Sequence, residues 1–291
     1  MNYKENITYT ELNDVAKKLI SNSHSSYDEV CDSHFPLTDD EKRIVHFSEE
    51  LISIRLHPIY KQMDNEQKIN LSQLELINFF SLTIHGEAFL IENMKAYIPL
   101  IDDKEVQHYL RIFIDEEVNH TYWFKKFCKS VKQPIVDSQN FQLGSQGEKV
   151  RTHKGFLFFF VKVYLFEQVS MIYNRILSKD SNLPALVRSI NQQHLIEEGR
   201  HVSFGINFIE HLFSRLAPLY PKLVDELNFQ VNSFEQILLH GMFNPEIYEK
   251  CQINQPYKVK KEALEDPTVH NWFHLNFKHA SLELRKRNFL T

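Results

Sequence analysis

In the stretch QHLIEEGRH, residues 193–201, two histidines and two glutamates fall within nine positions between apolar flanks. At about 100° per residue, helical geometry brings His194, Glu198 and His201 into a sector of roughly 60°. Val187 and Ile190 before the stretch, and Gly205, Phe208 and Leu212 after it, continue that sector, so this is the face that turns inward. Glu197 lies at its margin and Arg200 well off it. A buried carboxylate between two imidazoles is costly to desolvate unless it is paired, neutralised or bound to a cation. The fold must therefore bring compensating groups to this helix from elsewhere in the chain.

Such a fold is all-α. The chain has 291 residues, 43% of them hydrophobic, but only 7 glycines, and Leu, Phe, Glu and Lys recur at helical rather than alternating spacing. That length suits one large domain over 1–291. The net charge of −5 is dispersed, with no basic stripe, which excludes nucleic acid as the expected partner. Cys31, Cys128 and Cys251 are odd in number and far apart, so neither a disulfide framework nor a thiolate metal site is indicated, and a reducing cytoplasm fits. The N-terminus MNYKENITYTELNDV lacks an apolar signal core. The longest apolar run, GFLFFFVKVYLF, is interrupted by Lys162 and is too short to span a bilayer, so a soluble protein without a membrane segment is expected.

Capping-box spacing at Thr38–Glu41, Ser72–Glu75 and Asp102–Glu105 predicts helix starts just after residues 38, 72 and 102. A first long helix would run from about 72 to 97, and IPLIDD would turn the chain into a second reaching about Val131. The polar segment KQPIVDSQNFQLGSQGEKVRTHK, with Pro134, Gly144 and Gly147, reads as a crossover. A third helix is expected from about Gly155 to Ser178. A fourth, capped by Asn182, carries the opening motif to about Phe213. Hairpin, long connection, hairpin is a four-helix bundle topology, here over about 72–213. One or two further helices are expected within 1–70, and two more at 218–241 and 267–289.

The other three bundle helices each carry a glutamate in an apolar stripe. Glu117 lies among Leu110, Phe113, Ile114, Thr121, Phe124 and Cys128, with His120 three residues on, giving Glu-x-x-His. Glu167 interrupts Phe156, Phe160, Val163, Met171 and Asn174. Glu87 interrupts Leu76, Phe80, Thr83, Ile91 and Met94, whereas Glu92 points away. Residues level with each other across a hairpin must be nearly equidistant from its turn. With turns near 101 and 182, Glu87, Glu117, Glu167 and Glu198 lie 14, 16, 15 and 16 positions away, and so share one layer.

One glutamate on each of two helices and a Glu-x-x-His on each of the other two is the constellation of ferritin-like di-iron and di-manganese carboxylate proteins. Four carboxylates offset the charge of two ferrous ions, two of them can bridge, and imidazoles complete coordination while positions stay open for dioxygen. Manganese in place of one iron stays open, because carboxylate and imidazole bind both.

With Glu87, Glu117-x-x-His120, Glu167 and His194-x-x-x-Glu198-x-x-His201, the chain resembles the di-iron N-oxygenases typified by p-aminobenzoate N-oxygenase, over about residues 76–212. His194 distinguishes this pattern from those of ferritins and ribonucleotide reductase small subunits, which manage with two histidines. The resemblance implies two irons bound by Glu87, Glu117, His120, Glu167, Glu198 and His201, with His194 as an additional ligand. It further implies a monooxygenase with dioxygen as co-substrate, held as a peroxo species, an external electron donor, and a small organic substrate such as an aryl amine. A homodimer is compatible with it. A desaturase, hydroxylase or radical-generating oxidase using the same metals stays open, with Tyr164 or Tyr122 near ligands, as does a non-enzymatic iron-handling protein. Thr83, Thr121, Met171 and Asn174 are candidates to line a cavity, and Arg285 and Arg287 to anchor an aryl carboxylate, although core packing and a solvated helix end are the simpler readings. Phe113, Phe160 and Tyr164 read as core.

Overall fold

The computed structural model describes residues 7–23, 35–137 and 151–291. Helices follow in the order α1 (Asn13–Ser23), α2 (Pro58–Gln62), α3 (Asn65–Tyr97), α4 (Lys104–Ser130), α5 (His153–Lys179), α6 (Ala185–Leu216), α7 (Leu223–Met242), α8 (Pro245–Lys250), α9 (Pro256–Glu265), α10 (Pro267–Ala280) and α11 (Leu282–Lys286), with no strand among the described residues. The hairpins α3–α4 and α5–α6 pack into a ferritin-like four-helix bundle. Around it, α1 lies across α4 and α6, α7 and α10 cover α5, and α8 rests on α3.

Local chemistry explains where the helices begin, and it moves several expected boundaries. The capping box that starts α3 is Asp64–Gln67, with Asp64 accepting from the Gln67 N–H and Gln67 accepting from the Asp64 N–H. Ser72 is instead a buried residue about two turns inside, whose Oγ accepts from the backbone of His46 and Phe47. The spacing was present there but the hydroxyl was already engaged. The cap of α4 is Asp103, bonded to the N–H groups of Glu105 and Val106, while its neighbour Asp102 accepts from Tyr9 N–H. The Thr38–Glu41 box forms, yet it closes only a short 3₁₀ turn, Glu41–Arg43. Asn182 sits in the turn before α6 rather than capping it; Pro184 precedes the first helical residue. The short helices α8 and α9 were not expected. Of the crossover, 138–150, with Gly144 and Gly147, lies outside the described residues, as does Cys31.

The core is aromatic. Phe160 and Phe208 join α5 to α6 with ring centroids 4.3 Å apart, and Tyr97 stacks on Phe156 at 4.5 Å to close the end where α3 meets α5. Each such side chain contributes about 2–3 kcal/mol by leaving water. Asn65–Leu100 and His153–Lys179 are long and apolar enough to cross a membrane, with 72% and 61% of their apolar windows buried inside the protein, as inner bundle helices are.

Candidate metal centre

The four helices bring all seven predicted side chains to one layer. Glu87 on α3, Glu117 and His120 on α4, Glu167 on α5, and His194, Glu198 and His201 on α6 are each at most 3% exposed. Their ligand atoms fall into two groups, each within 4.8 Å: Glu87, His120 and His194 in one, and Glu117, Glu167, Glu198 and His201 in the other. Glu92, set aside on helical phase, is exposed.

Two carboxylates face both groups. Glu117 turns Oε2 to His120 Nδ1 at 3.3 Å and Oε1 to His201 Nδ1 at 3.0 Å. Glu198 turns Oε1 to His194 Nε2 at 2.5 Å and Oε2 to His201 Nδ1 at 3.1 Å. The contacts of Glu117 Oε1 with His201 and of Glu198 Oε1 with His194 lack hydrogen-bond geometry, and Oε1 of Glu87, Glu117, Glu167 and Glu198 and Nε2 of His194 are buried with no hydrogen-bond partner. Buried polar atoms ordinarily find partners. Five such atoms converging on one layer are the donor set of a cation site.

Protons alone balance this layer poorly. Burial, then the charge of Glu117, pushes Glu87 well above the carboxylate range; burial and Glu198 do the same to Glu167. For Glu198 burial acts upward too, but His194 and His201 outweigh it and hold it well below. Burial pulls the histidines down, and it prevails at His194; carboxylate contacts reverse it at His120 and His201. Oxygen and imidazole donors in this proportion suit iron or manganese, and four carboxylates match two divalent charges.

A second ring of residues fixes the imidazoles. His120 Nε2 is 2.5 Å from Glu197 Oε2, and His201 Nε2 is 2.7 Å from Glu116 Oε2. Each histidine is thus gripped by the other helix's glutamate, with its Nε2–H donating and its Nδ1 lone pair turned to the layer. Gln193 donates to Glu197 and Arg200 to Glu116, both at 2.6 Å. His194 has the opposite sense, with Nε2 inward and Nδ1 2.8 Å from the Asn174 amide nitrogen. Asn174 Oδ1 has no partner, so a flipped amide would let that oxygen accept from Nδ1–H and leave Nε2 free to bind. Thr121 donates to Glu87 Oε2 at 2.7 Å, and Phe113 stacks on His201 with centroids 3.6 Å apart.

Sequence reasoning missed Glu116, Glu197, Gln193 and Arg200 as supports. The signal was there: Glu-Glu-x-x-His occurs twice, at 116–120 and 197–201. The second glutamate of each pair faces the layer, and the first, about 100° round the helix, reaches the neighbouring helix. Thr121 and Asn174 prove to hold ligands, whereas Thr83 bonds the Phe79 carbonyl. Arg285 pairs with the Thr291 carbonyl and Arg287 with Glu210, both at the surface. Of the two tyrosines considered for redox work, Tyr122 is 54% exposed and Tyr164 accepts from Gln168.

Comparison with known proteins agrees with this geometry. Over 250 residues, 82% of this chain and 70% of theirs, the sequence is 23% identical to uncharacterized proteins of Mycobacterium tuberculosis and Mycobacterium bovis. Residues 10–282 match the family described as p-aminobenzoate N-oxygenase AurF, a span that holds all seven side chains and both Glu-Glu-x-x-His motifs. The chain therefore belongs to the p-aminobenzoate N-oxygenase family.

Proposed function

We propose that this protein is a di-iron monooxygenase that transfers one oxygen atom from dioxygen to the nitrogen of a small aryl amine. The observation that carries this reading is the pair of two-faced carboxylates, Glu117 and Glu198, set among five buried atoms without partners. Glu87, His120 and His194 would hold one iron and Glu167 and His201 the other, with Glu117 and Glu198 between them. When bound, the metal pair supplies electrons and a Lewis-acidic surface for dioxygen. Of the four electrons that dioxygen takes up, the amine gives two and an external donor restores the two that the metal pair supplies; with two protons the second oxygen atom leaves as water.

The protein's own part is orientation and exclusion. Glu197 and Glu116 keep His120 and His201 in the Nδ1-binding tautomer, and Thr121 aims Glu87 by holding one of its oxygens. Burial keeps bulk water from the layer.

The test is to load the protein with ferrous iron anaerobically, count metal, admit oxygen and supply a panel of aryl amines. Two irons per chain and conversion of an amine to its hydroxylamine are expected. Iron uptake that continues beyond two per chain, or a tyrosyl radical without amine turnover, would overturn the reading in favour of iron storage or a radical-generating oxidase.

A further inference from the structure

The two seams that enclose the metal layer are built differently. The α4–α6 seam is closed by the charged pairs of His120 with Glu197 and of His201 and Arg200 with Glu116. The α3–α5 seam is closed by apolar side chains alone, with the Phe166 ring on Gly86 next to the layer and Phe89 against Phe159 beyond it. A Cβ built on Gly86 would lie 2.3 Å from Phe166 Cζ, so the ring rests directly on the glycine backbone and no other residue at 86 leaves it in place. Beside it is a cavity of about 20 Å³, lined by Gly86, Phe166, Phe89, Leu90, Val163 and Phe234, with Lys162 at its edge.

Register ties this cavity to the metal layer. Gly86 and Phe166 immediately precede Glu87 and Glu167. Leu90 follows Glu87 by three residues and Val163 precedes Glu167 by four, so these two share the helical faces that carry the carboxylates, while Gly86 and Phe166 lie about 100° round from them. The volume exceeds the ~10–15 Å³ that one water needs, but an apolar cavity offers water no hydrogen bonds. It is far too small for an aryl amine. Its contents should be small, neutral and apolar.

We propose that the α3–α5 seam is the entry route for dioxygen and that Phe166 is its gate. This rests on the di-iron reading above. Turning a phenyl ring off a glycine surrenders only packing, whereas opening α4–α6 would strand buried charges, so the apolar seam is the one that can open transiently.

Nitric oxide serves as a dioxygen-sized probe of the ferrous-loaded protein, with its association rate read optically and no turnover required. Phe166→Ala should raise that rate and Phe166→Trp lower it, each by about tenfold, the factor set by ~1.4 kcal/mol of barrier. Trp272→Ala should leave it unchanged. Rates within about twofold of wild type for both Phe166 variants, with two irons still bound, would overturn the gate while leaving the di-iron reading intact; a protein that takes up no iron would overturn both. Should either variant fail to fold, xenon-pressurised crystals of the unaltered protein supply the same decision. Xenon density between Gly86, Leu90 and Val163 supports the route, and xenon bound elsewhere with none there refutes it.

Discussion

Glu75 and Glu87 stand twelve residues apart on α3, roughly 18 Å along its axis, and each is 1% exposed. Their surroundings differ. Glu75 accepts from Ser53 Oγ, which lies 2.8 Å from Tyr248 OH; its Oε2 has no partner. Among the described residues no imidazole or guanidinium faces it in an ion pair, and burial pushes its pKa to about 8. Glu87 lies within 4 Å of His120 and His194, in a layer that holds three more carboxylates and a third imidazole. A buried carboxyl standing alone can settle its desolvation with one proton. A layer in which Glu87 and Glu167 are pushed up while Glu198 is pushed down has no uniform proton-bound state of that kind, and divalent cations resolve it. Burial of acid is therefore no sign of a metal site by itself; convergence is.

If that distinction holds, Glu75 makes stability depend on pH in a defined direction. Its folded pKa, about 8, lies above the unfolded value near 4.5. Between those limits the folded state keeps a proton that the unfolded state has lost, so stability is full below about pH 4.5, falls as pH rises, and levels off above 8. The loss is at most ~5 kcal/mol. Urea unfolding of the metal-saturated protein from pH 5 to 9 should show this decline, and Glu75→Gln should flatten it. Parallel profiles for the two proteins would mean that Glu75 is ionised in the fold and has an unrecognised cation beside it.

The metal layer should respond to cations instead. Ferrous iron at a thousandfold excess over its dissociation constant adds about 4 kcal/mol, which at a few degrees per kcal/mol raises the melting temperature by roughly 10 °C. Glu198→Ala removes a carboxylate facing both groups and should abolish the gain, while Glu75→Gln should keep all of it. A gain that survives Glu198→Ala would place the cation elsewhere.

The same contrast explains how much could be read from sequence. Glu87, Glu117, Glu167 and Glu198 were legible because four helices repeat one depth, and a repeated depth survives errors of a turn in the helix starts. Indeed α3 begins at Asn65 rather than near 72, and the layer is unaffected. Glu75 was misread as half of a capping box with Ser72, because a spacing of three residues serves a helix start and a helix interior alike. What decides is the partner brought from Ser53, and helical phase carries no information about that. Glu116 and Glu197 were missed for a related reason: phase puts them beside the inward face, and only the packing of α4 against α6 turns that margin into contact.

Glu197 and Glu116 test whether convergence needs its supports. Glu197→Gln keeps the shape but loses the charge that holds His120 Nε2–H, and supporting residues of this kind are worth about 10–100-fold in metal affinity. That is ~1.4–2.7 kcal/mol, less than losing a ligand. Glu116→Gln should cost a similar amount through His201, and its effect should be larger if Arg200 is left unpaired. Competition with a chromophoric chelator measures both. Affinities unchanged in both variants would show that packing alone, such as Phe113 on His201, orients the imidazoles.

The smallest effect compares the two hydroxyls that serve the two carboxyls. Ser53 donates to Glu75 and Thr121 to Glu87, and each bond favours the ionised form of its acid. Thr121→Val keeps the shape and removes the donor, a loss of about 1 kcal/mol. Without it Glu87 holds its proton more tightly, and because a metal must displace that proton, the pH at which the protein gives up its metal should move upward by a fraction of a unit. Ser53→Ala leaves the metal layer untouched, so it should not move that midpoint, although it should extend the fall of stability to higher pH by holding Glu75 protonated further. Cobalt(II) absorbance followed through an acid titration reads the first quantity, and urea unfolding the second. If Thr121→Val leaves the cobalt midpoint where it was, Glu87 is not among the groups that a proton and a metal compete for, and its place in the ligand set fails.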